Sequence, residues 1–148
     1  MMKFRMLVLV VSVLAAGLGG VAGAFGAEDP IAARKQVFKG FKGVMETTKA
    51  ILEANQPVGA VVPEAQKVVS GAAALKGMFP AGSDQGDTKA LPDIWRTADD
   101  FAAKMNAMEL AAQALADAAG TGDAAATGAK FKAMAGTCKS CHESYKAK

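Results

Sequence analysis

A chain of 148 residues with 17 basic and 14 acidic side chains has room for one ordinary domain and lacks the strong charge excess of a nucleic-acid binder. Aromatic residues make up 6% of the chain while alanine is abundant, which favours closely packed helices over a sheet. Only two cysteines and one histidine are available for metal or thiol chemistry.

At the start, Lys3 and Arg5 precede an apolar run from Leu7 to Ala16, and a Gly/Ala-rich stretch ends in Ala22-Gly23-Ala24. That order of basic, apolar and small-x-small segments is a secretory signal peptide, with cleavage expected after Ala24 and Ala27 as the second choice. Gly17, Gly19, Gly20 and Gly23 break the run before it reaches the ~20 apolar residues a membrane span needs. Removing residues 1–24 takes away two bases and no acid, so residues 25–148 form a nearly neutral domain with no expected nucleic-acid partner and no membrane span.

Asp29-Pro30 offers an N-cap followed by proline at the first helical position. From there to about Glu53, the residues Phe38, Phe41, Met45, Thr48 and Leu52 recur at steps of three and four, the seam of a packed helix. Gly40 and Gly43 inside this helix each cost up to ~1 kcal/mol against alanine. Either something bulky approaches the backbone there or the sequence is merely uneconomical.

Asn55-Gln56-Pro57 breaks the chain, and Pro63 reads as the first turn of a second helix ending near Phe79-Pro80. Its seam is Ala65, Val68, Ala72, Leu75 and Phe79. The stretch from Pro80 to Pro92 is the one long connection, and long loops of this kind tend to carry function. A third helix starts at about Asp93 and runs through Ile94, Ala98, Phe101, Met105, Met108, Ala112 and Leu115. Gly120-Thr121-Gly122 closes it, and Asp123 caps a fourth helix whose seam is Phe131, Met134, Cys138, Cys141 and Tyr145. Four seams joined by two short links and one long one predict an all-α, antiparallel four-helix bundle.

The chemistry sits near the end, in Cys138-x-x-Cys141-His142, the spacing used for covalent attachment of a c-type haem. On a helix the two thiols lean the same way and can add to two porphyrin vinyl groups, while His142, one step on, can present a nitrogen to the iron. A zinc site would need about four ligands and finds three here. A thioredoxin-like dithiol needs a βαβ setting that nothing upstream provides. Because the cysteines fall on the seam, the haem is expected inside the bundle. Thioether bonds would also keep both thiols out of a disulfide in an oxidising compartment.

With the motif near the C-terminus of a four-helix chain, the sequence resembles the cytochrome c′ family, the class II c-type cytochromes. The likeness rests also on Arg34-x-x-x-Phe38, Phe79-Pro80, Leu91-Pro92-Asp93-Ile94-Trp95 and the ending Tyr145-Lys146. It implies that Arg34 contacts a haem propionate, that Lys35 lies beside the haem, and that the Asp87-Thr88-Lys89 segment borders it. It implies that Phe38 covers the distal face, where leucine or methionine is commoner, and that Tyr145 belongs to the haem surroundings. Lys146 stands where the family usually has arginine, without the planar fork. Trp95 reads as interhelix packing.

The resemblance further implies a periplasmic haem protein that binds nitric oxide and transfers electrons; a peroxidase is disfavoured because no second histidine is present to serve as its acid or base. Haem c held by His142 alone would be five-coordinate and high-spin, open to nitric oxide or carbon monoxide, with redox proteins and a second copy of the chain, paired through the first two helices, as partners. The competing readings are a low-spin carrier using Met45 as a sixth ligand and a bundle using the dithiol without haem.

Overall fold

The structure, a computed structural model, describes residues 29–148. The expected leader and both cleavage sites lie outside the described residues.

Helix α1 (Pro30–Glu53) opens as the sequence predicts: Asp29 accepts a hydrogen bond from the Ile31 amide at 2.9 Å, and proline occupies the first helical position. Its buried line is Phe41, Val44, Thr48 and Ile51, joined near the start by Arg34. Phe38, Met45 and Leu52, expected on the seam, lie beside that line: Phe38 is 36% exposed, and Met45 and Leu52 are half-buried. The side facing α2 is marked by Gly71, where a Cβ would fall 2.5 Å from the Phe41 ring and 3.0 Å from Val37. Nothing among the described residues comes within 4 Å of a Cβ built at Gly40 or Gly43; the close approach within the chain is at Gly71.

After a 3-10 turn (Val58–Ala60), helix α2 runs Val61–Leu75, shorter than expected at its far end. Two turn-type bonds, from Gly77 to Ala74 and from Met78 to Leu75, stop the helix before Phe79. The carbonyls this frees are used elsewhere: Met78 accepts from Arg34 at 3.2 Å and Phe79 from the Trp95 indole at 3.0 Å. Trp95 thus fastens one segment to another, as its packing reading expects.

The single third helix expected from the sequence is two: a short turn, α3 (Asp93–Arg96), and α4 (Ala98–Gly120). They part at Thr97, which occupies the cap position of α4 without capping it. Its hydroxyl instead donates to the Asp93 carbonyl at 2.8 Å and bonds the Tyr145 hydroxyl at 2.8 Å. Gly122, at φ +79°, turns the chain, and Asp123 caps α5 (Ala124–Tyr145) through the Ala126 amide at 2.9 Å.

α1, α2, α4 and α5 form the four-helix bundle. α2 and α4 build its driest layer, where Val61, Ala65, Ala72, Leu75, Ala112 and Leu115 have no exposed surface. α4 also packs along α5, and α1 along α2, but α1 and α5 touch only sparsely. These two helices are the walls of a groove. At one end the walls are joined by the 76–92 connection; at the other, Leu52 of α1 shares a cavity with Ala124, Ala125 and Gly128 of α5. Among the described residues no helix is long and apolar enough to cross a membrane.

Candidate functional site

α5 carries the motif. Cys138 and Cys141 are free thiols one turn apart, both half-buried. Cys138 packs on the main core, so the motif lies at the core's rim, with the buried line of α5 formed by Thr127, Met134 and Tyr145. Burial pushes both thiols up; at Cys141 the Lys104 charge opposes that push while Asp100 adds to it. The neutral thiol is therefore favoured. His142 is exposed beside them, and partial burial, with the nearby Lys146 charge, lowers its pKa. A neutral imidazole, the form that ligates a metal, is the consequence.

On α1, Phe38 is partly exposed and its ring meets Phe41 edge-on at 5.9 Å. Met45 follows two turns along, packed against the core. The stripe is apolar and offers no hydrogen bond.

Arg34 lies deeper than a charge at a helix start ordinarily does, at 2% exposure. One terminal nitrogen donates to the Met78 carbonyl at 3.2 Å and the Ser83 hydroxyl at 2.7 Å. The other donates to the Ser83 carbonyl and to the Thr88 hydroxyl at 2.8 Å. Burial lowers the guanidinium's pKa, with Asp29 opposing, yet arginine stays charged. Thr88 in turn accepts from the Ala90 amide at 3.1 Å. Next to Arg34, exposed Lys35 bonds the Asp87 carboxylate, which holds that carboxyl below its usual range. Gly82 and Gly86, at φ +81° and +99°, give the loop the bends that bring Ser83 and Thr88 onto Arg34.

The same loop reaches α5. The Leu91 amide donates to the Tyr145 carbonyl at 3.0 Å and the Ala147 amide to the Lys89 carbonyl at 2.9 Å, an antiparallel bridge at Ala90 and Lys146. Tyr145 is buried, its ring 5.2 Å from Phe101 and its hydroxyl 2.6 Å from Asp100. Of the residues singled out in the sequence, Arg34 and Lys35 of α1 are thus joined to the loop that holds Thr88; Cys138, Cys141, His142 and Tyr145 stand together at the end of α5; and Phe38 lies on α1 one turn beyond Arg34. Sequence reasoning missed Ser83, Thr97 and Asp100. The pattern Thr97-x-x-Asp100 reads as an ordinary helix start, and Ser83 as one more polar loop residue.

The cytochrome C′ family profile matches residues 29–146. The chain belongs to the cytochrome c′ family. The cytochrome c′ of Pararhodospirillum photometricum is 36% identical over 118 residues, covering 76% of this chain and 92% of that protein. The solved cytochrome c prime of Shewanella frigidimarina is 33% identical with a TM-score of 0.75, covering 81% of this chain and 95% of the other. A cytochrome c′ with an unusual ligand-controlled dimer dissociation is 29% identical with a TM-score of 0.75, covering 80% and 95%. Membership in the cytochrome c′ family makes this a haem protein and implies covalently bound haem c, for which the chain has its two cysteines. The residues present fit that group: two half-buried thiols one turn apart at the rim of an apolar core, and an exposed imidazole beside them.

Proposed function

We propose that Cys138 and Cys141 hold one haem c by thioether bonds, that His142 is its strong iron ligand, and that the protein serves electron transfer and nitric oxide or carbon monoxide binding in a bacterial periplasm. The observation that carries this reading is the placement of Cys138, Cys141 and His142 within two turns at the end of α5, both thiols half-buried at the rim of the core. When bound, the haem supplies a redox-active iron able to take small diatomic ligands.

Each thiol adds across a vinyl group, its sulfur bonding one carbon and its hydrogen going to the other. His142 contributes the one imidazole in the chain. Phe38 can neither ligate iron nor donate a hydrogen bond, so it controls the distal face by bulk. That penalises ligands that depend on a polar partner, such as O₂, more than nitric oxide or carbon monoxide. Arg34, Lys35 and Thr88 border the haem through the loop they organise, and Tyr145 supports the histidine side. Residues 1–24 export the chain, redox proteins are its partners, and a second copy pairs through α1 and α2. No enzymatic acid or base is assigned.

Met45 favours one alternative. It lies on the Phe38 stripe, two turns along, and a haem displaced toward it would be low-spin. Absorption spectra of ferric and ferrous holoprotein separate five-coordinate from methionine-ligated iron. Mass spectrometry after acid-acetone extraction should show one haem mass retained on the polypeptide; free haem in the extract and an unmodified chain would refute the thioether assignment.

A further inference from the structure

His142 stands in the last turn of α5, where a helix runs out of its own hydrogen bonds and its end is free to fray. The closing bond of that turn, from the Lys146 amide to the His142 carbonyl, is 3.3 Å long. Side chains of α4 hold the turn from behind at two points. Lys104 donates to the hydroxyl of Ser140, between the two cysteines, at 3.1 Å. Asp100, one turn earlier on α4 and 3.9 Å from the Lys104 ammonium, accepts from the Tyr145 hydroxyl at 2.6 Å. Thr97 bonds the same hydroxyl at 2.8 Å, having given up its capping role.

Tyr145 is three residues beyond His142, so the two side chains lie on neighbouring strips of the helix surface. Fixing the phenol therefore fixes the rotation of this turn about its axis. The backbone bridge to Lys89 and Leu91 holds the end of the helix from the loop side, and the phenol bond adds a side-chain hold from α4. A carboxylate acceptor makes the phenol bond charge-assisted, the strong kind. We infer that Asp100 is a positioning residue: acting through Tyr145, it sets the direction in which His142 presents its imidazole. The inference rests on His142 being the iron ligand.

The test uses ferrous holoprotein and reads the iron–histidine stretching band by resonance Raman, together with amide hydrogen exchange of the last turn of α5. Tyr145→Phe keeps the ring on Phe101 and removes only the hydroxyl, so it should fold. Tyr145→Phe and Asp100→Ala should displace or split the band and speed exchange of the Lys146 amide. Asp100→Asn, which keeps an acceptor oxygen, should restore much of the parent signal, and Asp117→Ala at the far end of α4 should leave both readouts alone. If the variants lower the unfolding midpoint while band and last-turn exchange stay at parent values, Asp100 is only a structural tie and the inference is overturned. If the parent holoprotein shows no iron–histidine band, the ligation reading itself falls and takes this inference with it.

Discussion

The guanidinium carbon of Arg34 lies 4.6 Å from the centroid of the Phe79 ring. Phe79 meets Phe101 edge-on at 4.9 Å, and Phe101 meets Tyr145 at 5.2 Å. A line of a cation and three rings thus runs from the first wall of the groove to the second, passing behind it through the loop and α4. Each contact is of a favourable geometry, the cation on a ring face and each ring edge-to-face with the next.

Arg34→Ala should cost at least ~3 kcal/mol of holoprotein stability, because several buried acceptors lose a charged donor at once. Arg34→Lys should recover little, since a point charge cannot span Met78, Ser83 and Thr88 together. Denaturant unfolding checks this against Lys67→Ala, an exposed pair with Glu64 worth at most ~1 kcal/mol. Equal losses for the two variants would show that the loop does not depend on Arg34. The midpoint potential should shift in Arg34→Ala with covalent attachment intact.

Phe38→Ala should cost only ~1–2 kcal/mol, as a ring already 36% exposed gives up less burial than a core phenylalanine. Carbon monoxide should bind the ferrous variant faster or tighter, and Phe38→Met should push part of the iron to low spin. Unchanged carbon monoxide kinetics in Phe38→Ala would mean the ring does not cover the iron, and Met45 would be tested next.

Gly71→Ala should destabilise despite the ~1 kcal/mol that alanine gains in a helix. The added methyl would meet the Phe41 ring at 2.5 and 2.8 Å, and forcing α1 away from α2 costs about 1–3 kcal/mol. Gly43→Ala, with open space around it, should stabilise. Calorimetry of the two variants side by side should give shifts of opposite sign.

Burial, reinforced by Asp100, raises the Tyr145 phenol above its ordinary 10.0, against the bond from Thr97. The folded state therefore keeps a proton that the unfolded chain loses first. The resulting stability is fully present below pH 10 and is lost as pH rises through the folded-state value. Unfolding of the parent compared with Tyr145→Phe across pH 9–11 isolates this contribution from the lysines. The variant should show the shallower decline, and parallel curves would refute the linkage.

The helical seams were legible because three-and-four spacing needs only local sequence. Within α1 that rhythm has two interleaved solutions, Phe38–Met45–Leu52 and Phe41–Thr48 with Val44 and Ile51, and the choice is made by α2 pressing Gly71 onto Phe41. The cysteine motif and the caps at Asp29 and Asp123 were equally local and stand where the sequence puts them. Hidden from sequence were contacts that join distant segments: Thr97 leaving its cap for Tyr145, and Met78 ending α2 to receive Arg34. The family likeness pointed to Arg34, but nothing in its neighbours announces that Ser83 and Thr88 would saturate it.

The sparse meeting of α1 and α5 makes rigidity uneven across the molecule. Local opening costs least where few apolar contacts must be broken, and most where burial is complete. Amides in the dry layer of α2 and α4 should therefore exchange only with global unfolding, on the slowest timescale. α1 and α5 are each tied to the loop near one end, through Arg34 and Tyr145, and only line a common cavity at the other, so they can part locally without disturbing that layer. A molecule built this way has a hard spine and a compliant flank, and the amides of the two should exchange at very different paces.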